Sequence, residues 1–249
     1  SGSDALLNVQ AQWHPDLAAP LAQPMQLALE ARIQPWQAQP IAQAHAQWQY
    51  LNLAALWPST PKTLLTGQAS ITPEGADWRI EAQTKNQNPG PWDQQALPLS
   101  QLQVRAYGHT AQWQLAQLEA QLGGGRIQGQ GQLTEAGWTG QIQVTAVQAE
   151  QLHTGLSKAS MNGQIQAHSS PGQAVSFMAA LSAAPGHPKN PSGMHWDRLQ
   201  LQGRWQDARW DIQALDLQVA EAHLQGQFTL TPAQATAQGE LTLKMPGLY

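Results

Sequence analysis

Apolar and polar residues alternate along almost the whole of this chain. A period of two is the pattern of a β-strand with one buried face and one wet face. Gly67, Ala69 and Ile71 read this way, and so do Trp78, Ile80 and Ala82, then Leu102 and Val104. Ile127, Gly129, Gly131 and Leu133 follow, then Trp138, Gly140, Ile142 and Val144. Later runs are Met161, Gly163 and Ile165; Val175, Phe177, Ala179 and Leu181; Leu199, Leu201, Gly203 and Trp205. The chain closes with Leu215, Leu217 and Val219, with Leu224, Gly226, Phe228 and Leu230, and with Leu241, Leu243 and Met245. Roughly a dozen such runs, at the spacing of an all-β protein, predict an all-β fold. Thr72-Pro73-Glu74-Gly75, Thr134-Glu135-Ala136-Gly137, Ser169-Ser170-Pro171-Gly172 and Thr231-Pro232-Ala233 carry the turn residues expected of hairpin loops.

Two stretches break the alternation. Residues 50–58, YLNLAALWP, space Leu53, Leu56 and Trp57 as a short helix would, with Pro58 ending it. Residues 148–156, QAEQLHTGL, read as a second short helix or a linker. Asn86–Leu99 and Ala184–Gly193 are the longest irregular stretches and read as surface loops.

The glycines of Leu122-Gly123-Gly124-Gly125 invite a phosphate-loop reading. Such a loop must run into a helix, where free backbone N–H groups meet the anion. Here no Gly-Lys-Ser/Thr and no helical stretch follow, and the alternation continues past Gly129 and Gly131. Gly123-Gly124-Gly125 therefore reads as a turn. Glycine inside a strand marks a bulge, a bend or the close approach of another backbone. Gly67, Gly163, Gly203 and Gly226 all share the apolar parity of their strands. Small residues on one parity suit the concave side of a strongly curved sheet with a narrow apolar interior. The alternative is that they fill a flat sandwich.

Composition narrows the chemistry. Only 11% of the 249 residues are charged, against about a quarter in ordinary domains. Most polar strand positions are glutamine, which wets a face without charge. A net charge of −4 gives no basic surface for nucleic acid. The chain has no cysteine, so neither disulfides nor thiol chemistry enter. No apolar run is long enough for a membrane-spanning helix. The eight histidines fall at no metal-ligand spacing, and no nucleophile elbow occurs. His195-Trp196-Asp197 resembles a site only in composition, since Trp196 begins an alternating run. The expectation is therefore no enzyme, no catalytic residue, no cofactor and no metal. The strand tryptophans share parity with Leu, Ile and Val, so they read as core or groove wall.

Three stretches resemble the AsmA-like family of bacterial translocation and assembly proteins, the TamB group of repeating β-groove proteins. The first is Asn88-Pro89-Gly90-Pro91-Trp92-Asp93 with Leu97-Pro98-Leu99. The second is Leu122-Gly123-Gly124-Gly125 leading into Gly129-Gln130-Gly131 and Trp138. The third is Ala222-His223-Leu224-Gln225-Gly226, closing on Pro246-Gly247. The resemblance covers most of the chain from about Leu51 onward, and its specificity lies in the order of the motifs and the strands between them. It implies an elongated antiparallel sheet curled into a β-taco groove, periplasmic, in a longer protein anchored in the inner membrane. It implies phospholipid movement between the two membranes and work with the outer-membrane barrel partner TamA in assembling outer-membrane proteins. On this reading residues 1–249 are one elongated internal segment, and Ser1-Gly2-Ser3 is a cloning remnant.

An apolar trough needs no catalytic residue. The lining expected from parity is Ile71, Trp78, Ile80, Leu102 and Val104, then Ile127, Leu133, Ile142, Val144, Ile165 and Phe177, and finally Leu199, Leu201, Leu217, Phe228, Leu241 and Leu243. Their expected partners are phospholipid acyl chains. Parity alone does not separate this lining from the inside of a closed sandwich. A scaffold that pairs its strand edges with nascent outer-membrane strands is the second reading, and edge pairing between copies of the chain goes with it. A β-solenoid would show a fixed repeat, and the runs here vary in spacing.

Overall fold

The computed structural model describes residues 6–13, 23–37, 39–57, 59–156, 158–183, 196–234 and 236–245. Ser1-Gly2-Ser3, Pro58, Ala184–Gly193, His195 and Pro246-Gly247 lie outside these. The chain is all-β. Fifteen strands form one antiparallel sheet in which every strand neighbours the next in sequence, and β1 and β15 stand at the two ends of the order, so the sheet does not close. By internal contacts the chain divides into two compact units, Ser1–Gly123 and Gly124–Tyr249.

The first unit holds β1 (Leu7–Trp13), β2 (Gln26–Ile33), β3 (Ile41–Leu51), the helix α1 (Leu53–Leu56), β4 (Leu65–Glu74), β5 (Asp77–Asn86), β6 (Leu99–His109) and β7 (Gln112–Leu122). The second holds β8 (Gly125–Thr134), β9 (Gly137–Gln148), the helix α2 (Ala149–Leu152), β10 (Ser160–Ser169), β11 (Val175–Ala183), β12 (Arg198–Gln206), β13 (Arg209–Val219), β14 (Ala222–Thr231) and β15 (Thr236–Lys244). All four turn signals are hairpin connections. Gly123 and Gly124, with φ of 51° and 71°, make the turn the sequence predicted there. Successive positive φ values match the twist of the flanking strands, and glycine takes them without strain.

Register explains why the alternation writes a face so cleanly. Residues paired across strands point to the same side, so a slip of one residue would turn every apolar side chain outward. In sequence the apolar parity does slip at several points, as between Leu115 and Leu118 and between Ile212 and Leu215. At each the structure inserts a bulge. The β6–β7 register shifts between Arg105 and Ala106, and the β13–β14 register between Ile212 and Leu215. The shifts near Tyr50 and Ala146 carry φ of 54° at each of those residues. The bulges return Leu118, Leu215 and Leu217 to the apolar side.

The two helices are shorter than the sequence suggested. Leu51 still pairs with Leu65, and Trp57 is already extended at φ −135°, so only Leu53–Leu56 remain helical. In the second stretch Gln148 closes β9 and His153 is extended, which leaves Ala149–Leu152. Two strands, β1 and β2, were not anticipated, although Leu7, Val9, Ala11 and Trp13 alternate as the others do.

The β12–β13 hairpin places Asp207 and Ala208 at φ of 51° and 58°. An alanine there is strained by about 1 kcal/mol or more, whereas Asp-Gly is favoured in this turn. Ala208→Gly is expected to stabilise the protein by about 0.5–1 kcal/mol, net of the extra freedom of the unfolded chain, as a raised urea midpoint.

Candidate functional site

The cross-strand pairs sort the sheet into two chemically distinct faces. In the first unit one row of pairs runs Ala44, Ile71, Ile80, Ala106, Leu115, and the next runs Ala46, Ala69, Ala82, Val104, Leu118. A third runs Trp48, Gly67, Thr84, Leu102, Ala120, and Trp78 sits opposite Gly108. In the second unit one row runs Ile127, Val144, Gly163, Leu181, Leu199, Leu217, Leu224, Leu243. The row beside it runs Gly129, Ile142, Ile165, Ala179, Leu201, Leu215, Gly226, Leu241. Phe177 and Phe228 share a third row, and Leu133 pairs with Trp138 in a fourth. Within each unit, register thus brings the expected lining residues onto one face.

Within each unit the close backbone contacts between strands join neighbours in the sheet order. Of the expected lining, Val144 is buried, and Leu133, Leu241 and Leu243 are exposed. The others are partly buried beside their cross-strand neighbours. Leu7, Val9, Trp13 and Leu29 extend the same face on β1 and β2 and were missed from sequence; all are exposed. The same alternation was the signal that could have found them.

Val144, Ala179 and Ile212 are buried within the apolar rows, and the other buried side chains gather along one long edge of each unit. In the first, Met25, Thr63, Asn86 and Ala120 are buried there. Thr63 Oγ1 donates to Leu51 O at 3.0 Å and accepts from Leu53 N at 2.9 Å, which ties α1 to the strand ends. Asn86 Oδ1 accepts from Leu64 N and Asn88 N, and its Nδ2 donates to Leu97 O at 3.2 Å. The Asn88–Asp93 and Leu97–Leu99 motif therefore closes an edge, and Asn86 is its buried anchor rather than part of a surface loop. In the second unit Val147, Ala149, Ala159 and Ser160 are buried at the corresponding edge, with Ala149 N donating to Ala159 O at 2.9 Å.

Glycines on the apolar face mark close approaches, as their parity suggested. A β-carbon on Gly67 would lie 2.8 Å from Trp48 Cζ2 and would strike the Gln83 carbonyl oxygen. One on Gly203 would lie 2.8 Å from Phe177 Cζ. In both places an aromatic ring lies across a glycine on the next strand, a pairing that shields an otherwise bare stretch of backbone.

The opposite face is polar. Gln47, Gln68, Gln83 and Gln103 form one row in the first unit, and Gln130, Gln141 and Gln166 form one in the second. Hollows of about 280 Å³ and 400 Å³ in the first unit are lined mainly by this face, including His45, Ser70, Glu81, Arg105 and Gln117 in the smaller. Glu81 Oε1 accepts from Arg79 Nη2 at 2.6 Å and Arg105 Nε at 2.9 Å. His109 Nδ1 lies 2.6 Å from Asp77 Oδ1, and His223 Nε2 lies 3.0 Å from Asp216 Oδ1. The amide of Gln225 and then His223 hold the Asp216 carboxyl below its ordinary range. Sequence gave no hint of these pairings, because only register joins partners as far apart as Asp77 and His109.

Hydrogen bonds from Arg79, then Arg105, hold Glu81 below the usual carboxylate range. A depressed carboxyl contributes stability that is complete above its unfolded value, about pH 4, and lost as pH falls through its folded value. The wild-type urea midpoint is therefore expected to fall from pH 6 to pH 3 more than that of Glu81→Gln. Equal slopes would remove Glu81 as a source of acid sensitivity.

Among the described residues no cluster of His, Asp and Glu is arranged to hold a metal, and no helix is long and apolar enough to cross a membrane. The fold and its faces define the class: an all-β chain whose strands form one antiparallel sheet, each unit apolar on one face and glutamine-rich on the other. The chain matches no protein-family model, no curated protein and no solved structure.

Proposed function

We propose that this chain is a non-enzymatic, periplasmic segment of a TamB-like protein whose apolar sheet face forms a groove for phospholipid acyl chains passing between the inner and outer membranes. The observation that carries this reading is the set of apolar cross-strand rows in each unit, most of whose side chains keep part of their surface in water, with Leu133, Leu241 and Leu243 exposed. Each methylene held in water costs about 0.8 kcal/mol, and a continuous apolar surface removes that cost along a route without binding tightly anywhere. Exposed apolar area on this scale marks a surface that meets something apolar. The hollows on the polar face do not serve this role, because glutamine, hydroxyl and charged side chains line most of them. In the full-length protein the segment supports outer-membrane protein assembly with TamA.

Mass spectrometry of an organic extract of the detergent-free protein tests the proposal. Co-purified phospholipid, and uptake of labelled phospholipid from vesicles, are expected. A folded protein that neither carries nor takes up lipid overturns it. A second reading has its own observation: all seven residues of β1 and all nine of β15 are exposed. Their free backbone groups suit strand addition, whether by nascent outer-membrane strands or by another copy of this chain.

A further inference from the structure

The two long edges of the second unit differ. One is the buried edge that α2 and Ala159 close. Along the other, the outermost apolar row runs through Leu133, Trp138, Trp205, Trp210 and Leu230, beside the hairpin turns. The three tryptophans are 36–40% exposed. Trp205 and Trp210 are 6.3 Å apart, and Phe177 meets Trp210 edge-on at 5.5 Å. These contacts hold the Trp205 and Trp210 rings in place. None of the three indole N–H groups has an acceptor among the described residues. In the first unit the comparable tryptophans are satisfied: Trp78 Nε1 donates to Ile41 O and Trp113 Nε1 to Thr110 O.

A half-exposed indole with a free donor suits a boundary where one side is apolar and the other wet. Here the apolar side is the inner rows of the same face, and the wet side is the hairpin edge. A β-carbon on Gly140 would meet only Trp138 Cζ3 at 3.7 Å and Gln130 O at 3.9 Å, so there is room beside the Trp138 ring. The β12–β13 hairpin carries Arg204 and Arg209 against Asp207 and Asp211, so its formal charge cancels.

We infer that this tryptophan rim holds the ester and phosphate region of a diacyl glycerophospholipid, while its acyl chains lie on the inner rows. The inference rests on the reading of the apolar face as a lipid surface. Three neutral donors read acceptors common to all such lipids. Binding is therefore indifferent to headgroup charge and to salt, unlike capture by a basic patch.

The test compares wild-type protein with Trp138→Phe/Trp205→Phe/Trp210→Phe, which keeps apolar rings and removes the donors. Two probes are used: a phosphatidylcholine with a fluorescent acyl chain, and diphenylhexatriene, which has no polar group. Dioleoylphosphatidylglycerol and dioleoylphosphatidylethanolamine compete against the first probe. The triple variant is expected to bind the phospholipid at least about tenfold more weakly, given the worth of a hydrogen bond, and diphenylhexatriene within about twofold of wild type. Trp92→Phe, at the opposite edge of the first unit, leaves both unchanged. If the triple variant fails to fold, the single variants carry the test at about two- to threefold each. Phospholipid binding unchanged in a folded variant overturns the rim but leaves the apolar face standing. An equal loss of both probes assigns the tryptophans to the wall and overturns their donor role. A wild-type protein that binds neither probe overturns the apolar face and the rim together. A strong preference for the anionic competitor overturns recognition by neutral donors.

Discussion

Replacing Gly163 by valine is expected to cost at least about 3 kcal/mol and to be among the most damaging single changes in the second unit. Gly163 has φ of 150°, which side chains rarely adopt, and sits at the register shift between β9 and β10. A β-carbon there would strike the Ala180 carbonyl oxygen and lie 2.8 Å from Leu181 Cα, so backbone rather than a pliable side chain would have to yield. Valine adds branching against the same strand. Gly172→Ala separates strain from clash: it has φ of 70° but nothing within 4 Å, so about 1 kcal/mol is expected. Urea unfolding of both variants measures the difference. Equal losses would mean that the close strand approach at Gly163 does not constrain the fold.

The double variant Ile142→Asp/Leu201→Asp is expected to lose co-purified phospholipid by at least about tenfold while keeping its strand content. Both side chains are half-buried on the apolar face, two strands of β10 and β11 apart, in a single row of pairs. Water reaches them when the face is empty, so a carboxylate is tolerated in the free protein. Hydrocarbon lying on the row would have to strip that water, and an unpaired charge costs several kcal/mol to desolvate. The effect on lipid therefore exceeds the effect on folding. A folded double variant that carries lipid like the wild type excludes this row from the lipid path.

The fold was legible in the sequence because period two states directly which side chains share a face. Ile71, Ile80, Ile142 and Leu201 could be assigned together before any strand was paired. The breaks in parity were visible at Leu115 to Leu118 and at Ile212 to Leu215, but not that bulges repair them, since a bulge is a property of two strands. Helix spacing over residues 50–58 overstated the length of the helix for a related reason: Leu51 is committed to pairing with Leu65, and that long-range pairing outweighs a weak local preference, leaving only Leu53–Leu56 helical. Parity also does not say whether a face is covered. The open rim and the buried edge differ in what the connections do, with Asn86 and Thr63 anchoring one and bare hairpins forming the other. The Glu81–Arg105 contact, 24 residues apart in sequence, exists only through the β5–β6 register.

The neighbour-only order of the strands bears on how such a chain comes to be folded. Each strand needs just the one before it as a template, so no pair waits for a distant segment, and the longer connections add only slowly to the entropy of closure. Folding within a unit can proceed hairpin by hairpin, in the manner of a linear array whose stability sums over adjacent interfaces. A chain built this way has no step that must wait for its last residue. It can be lengthened or shortened by whole hairpins over evolution without redesigning a core, which is how a sheet can be matched to whatever distance it must cover.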